Sequence, residues 1–234
     1  MATTEVVGFA ERIRLETQQA HSDTENSVFV AELLGGTLST EAHAALIAQT
    51  WFVYDSLERI GRGYADDPIA GPFLSDELLR TAALEADLDF LVGSDWRDRI
   101  APLPATVAYV DRLQQVAAVS PEAFLAHHYL RYLGDLSGGQ IIRRMLERAY
   151  GYERDGLRFY IFDGIPKTKP FKDAYRAKLD AAPLDGDQQQ AVIDEANLVY
   201  GSTVPCSPTS HAISIVTGCV PDRCSVPSSA SRSR

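Results

Sequence analysis

The residues best able to do chemistry lie in the stretch Tyr129-Leu130-Arg131-Tyr132-Leu133-Gly134-Asp135-Leu136-Ser137-Gly138-Gly139-Gln140. The pattern around it is helical, yet Gly134, Gly138 and Gly139 fall within six residues. A glycine inside a helix costs about 1 kcal/mol relative to alanine. Accepting that cost three times implies backbone that must approach something closely. A flat ligand lying against the helix supplies the reason. Asp135 stands among these glycines, on a helix that also carries Leu133, Leu136, Ile141 and Met145. A buried acid must be hydrogen-bonded or its pKa rises. A wet pocket suits it; a surface ion pair with Arg131, four residues earlier, is the plainer alternative.

A second group begins at His21, in Gln19-Ala20-His21-Ser22-Asp23-Thr24-Glu25. Glu25 is one helical turn on and can reach the imidazole. A carboxylate that accepts the Nδ1 proton fixes the tautomer and leaves Nε2 free for a metal. Taken alone, His21 is an ordinary surface or core histidine and Glu25 a solvated acid. Arg14 precedes His21 by seven residues, about two turns, which in one helix places them on one face. Lys172 and Arg176 are spaced i, i+4, with Lys169 nearby; these cations suit an anionic ligand, although each taken singly reads as a solvated charge. His127 and His128 are adjacent, point to different sides of a helix, and read as structural.

These residues need helices to place them. Amphipathic patterning predicts helices over residues 7–22, from a Ser27 cap to Gly35-Gly36, over 40–63, from Ser75 to Leu91, and from Pro104 to about Val119. Ser120-Pro121-Glu122 is a helix start of cap, first-turn proline and acid. That helix should run through the glycines to Tyr150, with Gly151 ending it. Residues 152–170 are turn-rich; 171–179 and 187–200 read as helix again. The expectation is an all-α, single-domain chain.

The chain has 234 residues, enough for one large core, and a net charge of -10, which speaks against nucleic acid as a partner. The start carries no signal-peptide pattern and no apolar run spans a bilayer, so the cytoplasm is the expected location, without a membrane partner. At Gly201 the composition breaks. Residues 201–234 hold nine serines and four prolines but no leucine, aromatic or lysine. Such a tail cannot bury enough apolar area to offset its ordering entropy. It is expected to be disordered and not the ancestral ending, with the domain at 1–200. The cysteines, Cys206, Cys219 and Cys224, all lie in it. With His211 they make a weak metal pattern best read as coincidence.

The segments HHYLRYLGDLSGGQ, QQAHSDTE and YRAKLD together make the chain resemble the haem oxygenases, of the soluble bacterial type, over about residues 7–200. The resemblance implies a multi-helix fold with haem b, both cofactor and substrate, between a proximal helix and a glycine-kinked distal helix. It implies His21 as the iron ligand with Glu25 behind it. Gly134, Gly138 and Gly139 would pass over the haem face, and Asp135 would organise distal water. Tyr54 and Arg131 would belong to the distal hydrogen-bond network, with Arg14, Tyr129, Lys172 and Arg176 on the propionates. The implied reaction uses O2 and external electrons to turn haem into biliverdin, carbon monoxide and ferrous iron, with attack at the α-meso carbon. No flavin or nicotinamide fingerprint is present, so an electron-donor protein, a ferredoxin or reductase, is the implied partner of a monomer. The chain departs from the family pattern in two places. Arg14 stands where lysine is commoner, and the serine-rich tail replaces the continuation of the last helix, which implies weaker haem retention and lower activity. A haem-storage protein on the same fold is the second reading; it would need His21 but not Asp135. Another enzyme acting on a small heterocycle is the third.

Overall fold

The structure is a computed structural model that describes the backbone of residues 7–25 and 39–201 and the side chains of residues 7–23 and 39–200. The helix expected after Ser27, the side chain of Glu25 and the tail beyond Gly201 lie outside the described residues. Within them the elements are helical: α1 (Phe9–Glu16), α2 (Gln18–Glu25), α3 (Thr40–Arg62), α4 (Thr81–Leu91), α5 (Trp96–Arg99), α6 (Pro104–Ala117), α7 (Pro121–Gly134), a π-helical turn (Asp135–Gly139), α8 (Gln140–Tyr150), α9 (Thr168–Asp180) and α10 (Gly186–Gly201). Short 3-10 turns stand at Gly71–Phe73, Asp76–Leu78 and Arg158–Tyr160. No strand occurs among the described residues, and the all-α expectation holds.

α7 is the spine of the fold. It begins as the sequence predicts: the Ser120 hydroxyl accepts from the Ala123 N–H at 3.0 Å, with Pro121 in the first turn. Ala123 through His128, Tyr132 and Leu133 are all buried. A helix apolar on most sides must be enclosed, and α7 divides two hydrophobic clusters. Phe124, Tyr132 and Leu136 join α3, α4 and α6 on one side; Leu125, Ala126 and Leu133 join α1, α9 and α10 on the other.

The two adjacent histidines are structural, each bonded to a different helix. The His128 Nδ1 hydrogen-bonds the Tyr175 hydroxyl of α9 at 2.9 Å. Burial pushes the His128 pKa down to about 3, so it stays neutral. The His127 Nε2 meets Glu195 Oε1 of α10 at 3.0 Å, and Glu195 also accepts from Arg112 of α6. Burial alone would raise the Glu195 pKa. The hydrogen bonds and charges of His127 and Arg112 outweigh it and hold the carboxyl at about 2. A depressed folded pKa gives stability that is present above the ordinary glutamate value and lost as pH falls through 2. Glu195→Gln should therefore lower the melting temperature at pH 7 and shrink the acid limb of the stability curve; an unchanged acid limb in thermal melts from pH 7 to 2 would count against this.

Two boundaries differ from expectation. The first helix does not run unbroken from 7 to 22. It breaks at Thr17, whose hydroxyl turns back to donate to the Ile13 carbonyl at 2.8 Å. The helix expected from Ser75 instead starts at Thr81. The Glu58 carboxylate of α3 takes the Thr81 N–H at 3.1 Å and its hydroxyl at 2.7 Å, so a distant side chain, not the local Ser75, starts α4.

Candidate active site

The continuous helix expected over the glycines widens into a π-helical turn at Asp135–Gly139. Such turns are rare and cluster at functional positions. The three glycines do not share one role. A Cβ built on Gly134 or Gly138 would meet nothing within 4 Å. Both residues are exposed, and they lie one turn apart on one face. Gly139 is buried: a Cβ there would touch the Asp135 Cβ and the Tyr160 ring, each at 3.5 Å. Gly134 and Gly138 therefore make a bare strip of backbone facing open space, while Gly139 backs onto protein.

Asp135 is half-buried beside that strip. The plain ion pair with Arg131 is not its partner. The Tyr54 hydroxyl of α3 donates to Asp135 Oδ2, and Oδ1 has no hydrogen bond among the described residues. The Tyr54 ring is wholly enclosed, edge-on to Tyr132 at 5.6 Å and to Phe159 at 5.3 Å. Burial and the neighbouring carboxylate push its pKa well up, so it remains a donor. Burial also raises the Asp135 pKa to about 7, against the opposing pull of the Tyr54 hydrogen bond and the positive charges of Arg131 and Arg80. A carboxyl poised near neutrality can take up and return a proton at working pH.

Arg131 enters this network from behind. Its guanidinium lies 4.6 Å over the Tyr109 ring, and Nε donates to the Tyr109 hydroxyl at 3.1 Å. That hydroxyl in turn meets His127 Nδ1 at 2.9 Å. Arg131 acts on the Asp135 carboxyl through its charge, while its Nε bond leads through Tyr109 and His127 toward Glu195. Sequence reading missed Tyr109, Arg80 and Glu195 here, because each comes from a different helix and nothing local marks it.

The expected anion-binding cations do converge. Asp180 at the end of α9 accepts the Ala10 N–H at 2.9 Å and so caps α1. This sets Arg14 beside α9. Arg14 and Arg176 both act electrostatically on the half-buried Tyr129 hydroxyl, whose pKa burial raises. Lys172 Nζ donates to the Ser137 hydroxyl of the π-helical turn at 2.9 Å, which ties α9 to the bare strip. Arg14 is held by Glu11 and Arg176 by Asp173. These carboxylates occupy the sort of contact that a ligand carboxylate would make.

His21 lies on α2 with its ring exposed and edge-on to Tyr200 of α10, centroids 5.6 Å apart. α10 fixes this hinge: the Asn197 amide donates to the Glu16 carbonyl at 3.2 Å, and Arg12 of α1 reaches Gln189 and Gln190. α10 packs on both α2 and α7, so one helix joins the imidazole's element to the glycine element. Tyr200 was not foreseen; its spacing from His21 in sequence hides it.

A strip of glycine backbone, a carboxyl poised near neutrality, an exposed imidazole and clustered cations fit a flat, metal-bearing dicarboxylate. Three comparisons with known proteins bear on this. The family model described as "Heme oxygenase" matches residues 7–203. A heme oxygenase of Pyropia yezoensis is 42% identical over 192 residues, covering 82% of this chain and 81% of that one. The solved structure of heme oxygenase-1 from the cyanobacterium Synechocystis, in complex with heme, superposes with a TM-score of 0.80 at 39% identity, covering 83% of this chain and 88% of that one. Heme oxygenase from Leptospira interrogans gives 0.79 at 32% identity, covering 83% and 95%.

Proposed function

This chain belongs to the haem oxygenase family, and on that premise we propose which of its residues do the work. The reaction is the oxidative degradation of haem, which supplies both the iron that activates dioxygen and the ring that opens to biliverdin, carbon monoxide and ferrous iron. The observation that carries the assignment of roles is the bare strip at Gly134 and Gly138 with Asp135 between them.

His21 is the proximal ligand, with Glu25 as its acceptor. Gly134 and Gly138 let the distal backbone lie against the ring, and Gly139 backs onto Asp135 and Tyr160. Tyr54 orients the Asp135 carboxyl through Oδ2, which leaves Oδ1 to hold water on the distal side. Arg131, stacked on Tyr109, keeps a positive charge behind that carboxyl. Arg14, Lys172 and Arg176 exchange Glu11, Ser137 and Asp173 for the two propionates, where the Tyr129 hydroxyl joins them. That exchange fixes the ring's rotation, and attack at the α-meso edge is the expected outcome.

Dioxygen and electrons from a separate donor protein, a ferredoxin or reductase, complete the reaction of a monomer. None of the described helices is long and apolar enough to cross a membrane. A haem-storage role leaves unexplained why a half-buried carboxyl with a raised pKa stands beside the strip.

The direct test adds haemin and a reductant in air and follows loss of the Soret band, free biliverdin and carbon monoxide. Haem uptake without biliverdin would refute turnover. Chromatography of the product isomers tests the anchoring: a single α isomer is expected, and Arg176→Glu with Lys172→Glu should give a mixture. A wild-type product of other regiochemistry would overturn this part.

Gly134→Ala and Gly138→Ala separate stability from function. A Cβ at either position meets no protein atom within 4 Å, and replacing a helical glycine gains up to about 1 kcal/mol. The ligand-free variants should melt at or above the wild-type temperature while haem affinity and biliverdin yield fall. Unaltered haem binding in both would place the ring elsewhere.

A further inference from the structure

A π-helical turn is poorer in geometry than the α-helix around it, and its backbone groups still need partners. Asp135 finds one in a side chain. The Gln140 amide nitrogen, at the start of α8, donates to the Asp135 carbonyl at 3.2 Å and to the Tyr160 carbonyl at 2.9 Å. These two carbonyls belong to different elements, so one amide crosslinks the π-helical turn to the 3-10 turn at Arg158–Tyr160.

That second turn is itself anchored. The N–H groups of Arg158 and Phe159 donate to the two oxygens of Asp87 at 3.0 and 2.8 Å. Asp87 is fully buried on α4, which packs against the turn. The Tyr160 ring closes the arrangement, lying where a Cβ on Gly139 would meet it in ordinary contact at 3.5 Å. A line of direct contacts thus runs from α4 through Asp87, the Arg158–Tyr160 turn and the Gln140 amide to the main chain of Asp135.

We infer that Gln140 is a positioning residue for haem oxidation: its amide, braced through the Arg158–Tyr160 turn on Asp87, sets where the π-helical turn holds the Asp135 carboxyl and the bare face of Gly138. The chemistry of the position asks for an amide of this length. Glutamate would set acceptors against two carbonyl acceptors. Lysine would bring a charge beside Asp135, and asparagine is one methylene short of spanning both elements. The inference rests on Asp135 being the distal carboxyl, and the experiment separates the two claims.

Gln140→Met keeps the length of the side chain and removes both donors. In ligand-free protein labelled with 13C at the aspartate carboxyls, Asp135→Asn identifies the Asp135 resonance. The wild-type resonance should titrate near 7, and Gln140→Met should lower the midpoint by at least about one pH unit as water enters, since ordinary aspartate titrates about three units lower. Asp87→Asn, at the far end of the brace, should shift it in the same direction by less. Val192→Ala, a core truncation in the other hydrophobic cluster, should cost stability without moving it. An unmoved midpoint in Gln140→Met overturns the inference; if that variant does not fold, an unmoved midpoint in Asp87→Asn does so. In haem-loaded protein, Gln140→Met should lower biliverdin yield and broaden its isomer distribution. A shifted midpoint with unchanged yield and isomers would leave the brace standing and overturn the role of Asp135.

Discussion

Asp135→Ala is expected to cut biliverdin formation by about 10²-fold or more, the scale on which a positioned proton donor or acceptor contributes, while haem still binds. The reasoning starts from the strip. Gly134 and Gly138 expose backbone, which has no side-chain proton to give. Asp135 is the titratable group placed between them, and its carboxyl accepts the Tyr54 hydroxyl on Oδ2. Alanine removes the acceptor for Tyr54 and the anchor for distal water together, yet leaves the ring's resting surface intact. The pH dependence follows from the same cause. Burial raises the pKa to about 7, so the folded chain holds this proton above the ordinary aspartate range. The stability that proton contributes is full below the unfolded pKa and is lost as pH rises through 7. The rate of biliverdin formation should fall through the same window if the acid form is the one used, and Asp135→Asn should flatten that limb. Steady-state rates between pH 5.5 and 8.5 measure it. Equal biliverdin yield in Asp135→Ala would remove this carboxyl from the mechanism.

His21→Ala carries the second large effect. Loss of residues behind a metal ligand costs 10- to 100-fold, so loss of the ligand itself should cost at least about 10²-fold in turnover. The ring is exposed on α2 and steadied by Tyr200, so its removal should leave the ligand-free fold nearly as stable as before. The Soret band of ferric haem-loaded protein should move away from the histidine-ligated position. Added imidazole, entering the space vacated by the side chain, should restore the band and part of the rate. An unshifted Soret band and full activity without imidazole would assign the iron to another residue. Tyr200→Ala offers a milder version, which should loosen the His21 ring without removing it.

The two variants differ in what they leave behind. The first should keep a haem protein that cannot steer protons; the second should keep an ordered distal side with haem poorly held. A storage protein would lose its haem with His21→Ala but be indifferent to Asp135→Ala.

The sequence alone determined the elements that local pattern controls. Ser120-Pro121-Glu122 starts α7 where a cap and a first-turn proline dictate. The apolar content around the glycine segment marked the helix as buried, and the cost of glycine in a helix marked Gly134, Gly138 and Gly139 together as backbone that approaches something closely. The i, i+4 pair Lys172 and Arg176 was legible for the same reason, since helical spacing is local. The identity of the ligand was not local information; it came from resemblance across the whole domain.

Tertiary structure decided the rest. The expectation that Arg14 and His21 share a face assumed one helix, but Thr17 breaks it, and α10 braces the junction, Asn197 at the end of α1 and Tyr200 against His21 on α2. The start of α4 depends on Glu58, more than twenty residues away, rather than on Ser75. The division of labour among the three glycines depends on Tyr160, and the tuning of Asp135 on Tyr54, Arg80 and Arg131. The physical reason is common to these cases. Propensity and periodicity act over one or two turns, whereas burial, electrostatic shifts and the partners of a backbone carbonyl are set by whichever elements pack there, at any separation along the chain.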